Sequence, residues 1–152
     1  MPFDELIKEV DRLAGAGFFD DEVLCQIGFS TFEPEHCAYF RTKPGLLAEF
    51  QNARFLIVHG GTGSVLQAQA SGRPFVAIAN PRAQHNHQVE FLSAMAEEAQ
   101  LYWSTDVAEL ADLCRAALAC AEDNSSDARS TAAGSTSGPL LADFLLRIAR
   151  KE

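Results

Sequence analysis

The sequence predicts an α/β fold, a Rossmann-like parallel sheet with helices on both faces. Three observations indicate this class. Strand-like and helix-like segments alternate along the chain. The apolar run Phe55 to Val58 is continuous, as in a parallel strand that is covered on both faces. Glycines follow this run at once and a helical pattern then resumes, which is typical of a βαβ unit.

The first third of the chain is predicted to contain two helices and two strands. Apolar residues recur at helical spacing from Phe3 to Ala14, and the glycine-rich residues 15–17 end that helix. Glu22 to Ile27 is predicted as a strand and Cys37 to Phe40 as a weaker one. Pro44 to Ala53 is predicted as a helix, with the proline in its first turn. Because a doubly wound domain normally opens with a strand, we expect the first strand of the sheet to be missing.

The middle of the chain continues the alternation. A helix from Ser64 to Ser71 precedes a buried strand from Phe75 to Ala79. A helix from about Asn86 to Glu98 precedes a short strand from Leu101 to Trp103. The next helix is predicted to end at Ala121, after a polar segment of the kind that caps helices.

The chain divides into three predicted parts. Residues 1–121 are predicted to form a Rossmann-like domain. Residues 122–138 are rich in Ser, Thr, Ala, Asp and Gly and contain no large apolar residue, which indicates a flexible linker. Residues 139–152 have apolar side chains at helical spacing, and are predicted to form a C-terminal amphipathic helix.

The composition excludes several function classes. The chain has 152 residues, 47% of them hydrophobic, and a formal net charge of −9. An acidic surface repels phosphate backbones, so we expect no nucleic-acid partner. The longest apolar run is too short to span a bilayer, and the N-terminus lacks the pattern of a signal peptide. The four cysteines show no C-x-x-C spacing, which favours buried, reduced thiols in a cytosolic protein.

A glycine-rich turn lies where a predicted parallel strand ends and a helix begins. It consists of His59, Gly60, Gly61, Thr62, Gly63 and Ser64. The start of a helix has unpaired N–H groups and a partial positive charge, and glycines allow a phosphate to approach the backbone. Open α/β sheets bind ligands at the carboxyl ends of their strands. The turn is therefore predicted to bind a diphosphate, and the alternative is that its glycines only make a tight turn.

A second polar segment begins the helix after the next strand. Its polar residues are His85, Asn86, His87, Gln88 and Glu90. Loops that follow parallel strands meet at one edge of the sheet, so this segment and the glycine turn are expected to line one cleft. Amide and imidazole groups hydrogen-bond sugar hydroxyls, which favours a sugar site. A metal site and a solvated helix start without function are the alternatives. The lack of a third nearby histidine and of a D-x-D pair argues against the metal.

Residues 55–90 together resemble the C-terminal, donor-binding half of the family 28 glycosyltransferases, which have the GT-B fold. The resemblance rests on the strand with its glycine turn, on Gly72-Arg73-Pro74, and on Asn86-His87-Gln88 with Glu90. It extends over about residues 3–115. It is strongest to small stand-alone subunits, namely the catalytic subunits of the two-component UDP-N-acetylglucosamine transferase of the dolichol pathway and of bacterial exopolysaccharide glucuronosyltransferases.

The resemblance implies a role for each matching residue. The turn from His59 to Ser64 would bind the UDP diphosphate. Ribose or donor-sugar contacts would come from Gln67, Asn86, His87, Gln88 and Glu90. Gln67 stands where several relatives carry a glutamate that holds the ribose hydroxyls. No residue is assigned as the catalytic base. Relatives also have a strand and a Gly-Thr loop ahead of the Phe3 helix, which implies that this chain is an incomplete form with reduced or no activity alone.

The implied activity is that of a UDP-sugar-dependent hexosyltransferase subunit. It would transfer N-acetylglucosamine or glucuronate, with inversion, to a lipid-linked or polysaccharide acceptor, and it would require no metal or other cofactor. In the split enzymes of this family a membrane-anchored partner subunit holds the acceptor. The implied location is therefore cytoplasmic, at the membrane face through that partner. The alternative is a non-catalytic subunit that binds a nucleotide-sugar or only its partner. A nucleotide-sugar epimerase is less favoured, because it needs a two-domain cleft in one chain.

Overall fold

A computed structural model describes residues 3–82, 87–128, 140–143 and 146–149, with residues 125–128, 140–143 and 146–149 described by their backbone alone. The helices are α1 (Asp4–Gly15), α2 (Leu47–Asn52), α3 (Thr62–Ala70), α4 (His87–Glu98) and α5 (Leu110–Ala128), with a 3₁₀ turn at Val107–Glu109. The strands are β1 (Glu22–Gln26), β2 (Ala38–Phe40), β3 (Leu56–His59), β4 (Phe75–Ile78), β5 (Tyr102–Ser104), β6 (Leu140–Asp143) and β7 (Leu146–Ala149).

The sheet contains two parallel groups of strands, in the overall order β2-β1-β7-β6-β3-β4-β5. β1 and β2 form the smaller group, with Leu24 opposite Ala38. β3, β4 and β5 form the larger group, with Ile57 opposite Val76. Each strand of the larger group is joined to the next by a helix, so the group has the predicted βαβ connections. The predicted α/β class with a Rossmann-like parallel sheet is confirmed.

Helices cover both faces of the sheet, as predicted. Phe55 and Ile57 face one side, where they belong to the same hydrophobic core as residues of α1 and α5. Leu56 and Val58 face the other side, with residues of α2, α3 and α4. All four side chains are fully buried. The continuous apolar run of β3 is therefore explained by burial on both faces.

The cysteines are free thiols, three of which are buried. Cys25, Cys37 and Cys114 are buried and Cys120 is half-buried. Burial raises the pKa of the Cys114 thiol to about 12. Burial also raises the pKa of Cys25 well above its usual range, and a hydrogen bond with the Cys37 thiol adds to the effect. The prediction of buried, reduced thiols is confirmed at these three positions.

The predicted linker over residues 122–138 begins too early. Helix α5 continues to Ala128. The residues from 122 to 128 include no glycine or proline, so nothing local ends the helix after Ala121. The remaining part of the predicted linker, residues 129–138, lies outside the described residues.

The amphipathic helix predicted over residues 139–152 is wrong where the structure describes the chain. Leu140–Asp143 and Leu146–Ala149 are strands β6 and β7. β6 pairs in parallel with β3, and β7 pairs antiparallel with β1. The apolar residues of this segment suit a strand as well as a helix. The strand edges of β1 and β3 then decide between the two states, because tertiary pairing overrides weak local preference.

The centre of the sheet differs from the common doubly wound arrangement. In that arrangement the opening strand lies at the point where the strand order reverses. Here the described chain opens with α1, and β6 and β7 occupy the place between β1 and β3. Among the described residues, no helix has the length and apolar character that crossing a membrane would require.

Candidate functional site

The glycine turn lies at the carboxyl end of β3, where the chain enters α3. His59 is the last residue of the strand, Gly61 is the N-cap of the helix and Thr62 is its first residue. The N–H of Gly60 donates to the Ile78 carbonyl at 2.8 Å and so extends the pairing of β3 with β4. Because parallel strands end at one edge, the turn lies at the same edge of the sheet as the loop after β4.

Gly60 is required by packing inside the protein. It is buried, and a Cβ atom at this position would lie 2.9 Å from Leu92 Cδ1 and 3.0 Å from Ala79 Cα. Rotation of the Leu92 side chain relieves the first contact, but the second is tighter than nine in ten real Cβ contacts and involves a backbone atom, which cannot move aside as a flexible side chain can. The alternative interpretation, in which the glycine is needed only for a tight turn, therefore applies to Gly60.

The amides of Thr62 and Gly63 provide the donors for a ligand. Val65 makes the first intrahelical bond, from its N–H to the Gly61 carbonyl at 3.0 Å, and no side chain caps the helix start. Within the described part of the chain, the N–H groups of Thr62 and Gly63 have no hydrogen-bond acceptor. A Cβ on Gly63 would contact nothing within 4 Å. Thr62 and Gly63 are both exposed, so two N–H groups without an acceptor lie at the positive end of a helix dipole, as an anion requires.

Not every amide of the predicted turn is available in this way. The Gly60 N–H is used in the sheet, and the Gly61 N–H donates to His59 Nδ1 at 3.1 Å. Ser64 Oγ lies 3.3 Å from His59 Nε2. The six predicted residues thus divide into a structural part, residues 59–61, and an outward part that begins at Thr62.

Gln67 lies on the same face of α3 as Gly63. The two residues are four positions apart and both are exposed, so a ligand above Gly63 would extend towards the Gln67 side chain. Gln67 also borders a groove of about 410 Å³ between α2 and α3. The other residues that line this groove are Gly45, Leu46, Leu47, Phe50, Gln51, Ala70 and Ser71.

The second polar segment meets the glycine turn, as expected. Gln88 Oε1 accepts a hydrogen bond from the Asn80 N–H at 2.8 Å. The same oxygen lies 3.0 Å from the position that a Cβ on Gly60 would occupy. The Gln88 side chain therefore joins the start of α4 to the end of β4 and packs beside the turn. This structural bond uses one of the two lone pairs of the amide oxygen.

Of the other residues in this segment, His87 and Glu90 are exposed. The side chains of His87 and Glu90 are 77% and 76% exposed, and His87 Nδ1 lies 3.9 Å from Glu90 Oε2. Both stand in the first turn of α4. His85 and Asn86 lie outside the described residues.

Sequence reasoning missed Asn80, which organises the loop after β4. Asn80 is buried, and its Oδ1 accepts the Arg82 N–H at 3.0 Å. Together with the bond from its own N–H to Gln88, this interaction fixes the backbone beside the glycine turn. The sequence pattern that could have identified Asn80 is its position as the first polar residue after an apolar strand, because such residues lie at the carboxyl edge of a parallel sheet.

The charged groups at this edge are largely paired with one another. Arg82 Nη2 lies 3.0 Å from Glu5 Oε1, and the Ser30 hydroxyl donates to Asp4 Oδ1. Among the described residues, no three His, Cys, Asp or Glu side chains come together as a metal site would require. The expectation that no metal is needed stays a prediction.

Comparison with known proteins identifies a family. The model of the glycosyltransferase family 28 C-terminal domain matches residues 2–139. The UDP-N-acetylglucosamine transferase subunit ALG13 of Homo sapiens is 28% identical in a 116-residue alignment that covers 68% of this chain and 10% of the human protein. The subunit of the same name from Yarrowia lipolytica is 34% identical over 67 residues, or 44% of this chain and 34% of that protein.

The matches to the curated relatives cover only part of the length of those proteins. The chain spans about a tenth of the length of the human and Mus musculus relatives and about a third of the Yarrowia lipolytica relative. No solved structure gives a significant match. The match to the family model, in contrast, covers most of the chain, from α1 through α5, and includes both predicted binding segments.

Proposed function

Because the chain belongs to the glycosyltransferase family 28 C-terminal domains, we propose that it is the donor-binding subunit of a UDP-sugar-dependent hexosyltransferase. One observation carries the proposal. The amides of the exposed residues Thr62 and Gly63, at the start of α3, have no acceptor in the described chain. This arrangement suits the diphosphate of a nucleotide-sugar.

The diphosphate is held by local dipoles and not by the overall charge. The net charge of −9 repels an anion at long range, whereas the amides and the dipole of α3 attract it at contact. The same donors stabilise the negative charge that develops on UDP as the glycosidic bond breaks. In enzymes that stabilise developing charge in this way, one such donor lowers the barrier by about 3–4 kcal/mol.

The other predicted residues extend the site in two directions. Gln67, one helical turn beyond Gly63, would hydrogen-bond the ribose hydroxyls. The exposed His87 and Glu90 would hydrogen-bond the donor sugar, together with the adjacent Asn86. We propose N-acetylglucosamine or glucuronate as the sugar, with inversion at its anomeric carbon and without a metal or other cofactor.

A partner subunit completes the proposed enzyme. The names of the human, mouse and Yarrowia lipolytica relatives describe a transferase subunit, which supports a second component. We propose that the partner is membrane-anchored and holds a lipid-linked or polysaccharide acceptor. The chain would then act at the cytoplasmic face of the membrane through this partner.

Calorimetric titration tests the donor site directly. UDP, UDP-N-acetylglucosamine, UDP-glucuronate and uridine are titrated separately into the chain, with and without a chelator. We expect the three diphosphates to bind, uridine to bind at least tenfold more weakly, and the chelator to change nothing. Failure of all three diphosphates to bind would reject the proposal.

Binding without sugar transfer in the reconstituted pair would favour a non-catalytic subunit. Asp4 accepts a hydrogen bond from Ser30 and Glu5 pairs with Arg82, so neither of these two carboxylates is assigned as a base.

A further inference from the structure

The imidazole ring of His59 lies beneath the glycine turn and contacts it at two points. Its Nδ1 atom accepts the Gly61 N–H at 3.1 Å, and its Nε2 atom lies 3.3 Å from Ser64 Oγ. One half-buried ring at the end of β3 thus bridges the N-cap of α3 and the third residue of the helix. These contacts lie on both sides of Thr62 and Gly63, whose amides form the open part of the turn.

The two contacts require one tautomer of the neutral ring. An Nδ1 atom that accepts a hydrogen bond carries no proton, so the ring proton is on Nε2. The Nε2–H group then donates to Ser64 Oγ, which acts as the acceptor. Each ring nitrogen therefore has a defined role, and the bond at one nitrogen sets the proton position at the other.

The ring also accounts for the glycine at position 61. A Cβ atom on Gly61 would collide with His59 Cε1 and would lie 2.9 Å from Nδ1. The contrast with Gly63 is direct, since a Cβ there would contact nothing within 4 Å. The His59 ring therefore excludes a side chain at position 61. At position 63 the protein itself leaves room for a side chain, so only a bound ligand would exclude one.

We propose that His59 is a positioning residue of the donor site, which holds the glycine turn in its binding shape through the Nε2–H tautomer. In this role it need not touch the ligand. It fixes Gly61 and Ser64, and the amides of Thr62 and Gly63 between them are held in place. The effect on ligand binding rests on the proposed function, whereas the tautomer and the dependence of position 61 on the ring do not.

A double-mutant cycle tests the positioning role. In the wild-type chain we expect Gly61→Ala to weaken UDP binding at least tenfold, because the ring must move. In a His59→Ala background the ring is gone, and adding Gly61→Ala should change the remaining UDP affinity less than about twofold. Equal losses in both backgrounds would overturn the proposal, because Gly61 would then be required by the ligand itself. His59→Asn, whose Oδ1 can replace Nδ1 as acceptor, is expected to recover part of the affinity that His59→Ala loses.

A spectroscopic measurement separates this inference from the proposed function. Long-range ¹H–¹⁵N correlation spectra of the ¹⁵N-labelled full chain report which nitrogen of His59 carries the proton. We expect a single neutral Nε2–H form without any ligand present. A proton on Nδ1, or exchange between the two tautomers, would overturn the inference even if UDP binds. An Nε2–H form in a chain that does not bind UDP would support the ring's structural role and reject the donor site.

Discussion

The side chain of Gln88 accepts a hydrogen bond from the backbone N–H of Asn80 at 2.8 Å. This bond joins the first turn of α4 to the end of β4, and the Gln88 oxygen also packs beside Gly60. A residue that the family resemblance assigns to sugar binding therefore also holds the two halves of the cleft together.

This double role predicts different effects for two substitutions at position 88. Gln88→Ala leaves the N–H of the buried Asn80 without its acceptor, so we expect the free energy of unfolding to fall by about 1–3 kcal/mol. Gln88→Glu keeps an acceptor and should fold with nearly wild-type stability. Its negative charge beside the glycine turn should nevertheless weaken UDP binding. Urea denaturation and calorimetry measure the two quantities, and equal stability of the two variants would contradict the structural role.

The open amide of Thr62 can be removed without removing the helix. Thr62 is the first residue of α3, where proline is favoured, and Gly61 before it has φ −66° and ψ 137°, which a residue preceding proline adopts readily. We expect Thr62→Pro to keep the fold and to weaken UDP binding about ten- to hundredfold, the value of one hydrogen bond to a charged group. Thr62→Ala keeps the N–H and is the matched control. Similar UDP affinity of the two variants would show that this amide does not contact the ligand.

Alanine substitutions at two glycines are expected to have opposite effects on stability. Gly60→Ala forces a Cβ against Ala79 Cα and Leu92, and should lower the free energy of unfolding by about 1–3 kcal/mol. Gly63→Ala meets open space inside a helix and should raise it, by up to about 1 kcal/mol. The same Gly63→Ala chain should bind UDP more weakly, because its methyl group occupies the space of the diphosphate. A stabilised variant with unchanged UDP affinity would place the ligand elsewhere.

The sequence was sufficient to predict the elements that carry the site, because their signals are local. The continuous apolar residues of β3 and the glycines after them indicate a buried parallel strand followed by a turn, and the structure has both. The strands at Leu140–Asp143 and Leu146–Ala149 were not predictable in this way. Their partners β1 and β3 lie far away along the chain, so the preference arises only after the sheet has formed.

Within the site, residue types were predictable and their hydrogen bonds were not. A glycine-rich helix start suits a phosphate, so the sequence predicts a phosphate site at residues 59–64. It does not indicate that the Gly61 amide is bound to His59, or that Gln88 is bound to Asn80. Both bonds depend on side-chain positions that only the packed structure defines.

The buried Cys114 thiol predicts a loss of stability in alkali. Burial raises its pKa to about 12, while a cysteine in the unfolded chain ionises near pH 8.5. The unfolded state therefore releases a proton first, and stability is complete below about pH 8. From about pH 9 to pH 12 the free energy of unfolding should fall by about 1.4 kcal/mol per pH unit for this thiol. Cys114→Ala should show a shallower slope. Leu110→Ala, at a buried neighbour that does not ionise, should lower stability without changing the slope.

Gln67 is expected to discriminate between UDP and a simple diphosphate. Its exposed side chain lies one helical turn from Gly63, which suits contact with a ribose but not with the diphosphate. We expect Gln67→Ala to weaken UDP binding about three- to tenfold, the value of one neutral hydrogen bond, and to leave the affinity for inorganic pyrophosphate unchanged. Gln67→Glu offers the ribose a charged acceptor and should strengthen UDP binding severalfold. Gln69→Ala removes an equally exposed side chain from a different face of α3, and is the matched control. If the variants at positions 67 and 69 bind UDP equally well, the nucleoside does not lie along this face of the helix, whatever holds its phosphates.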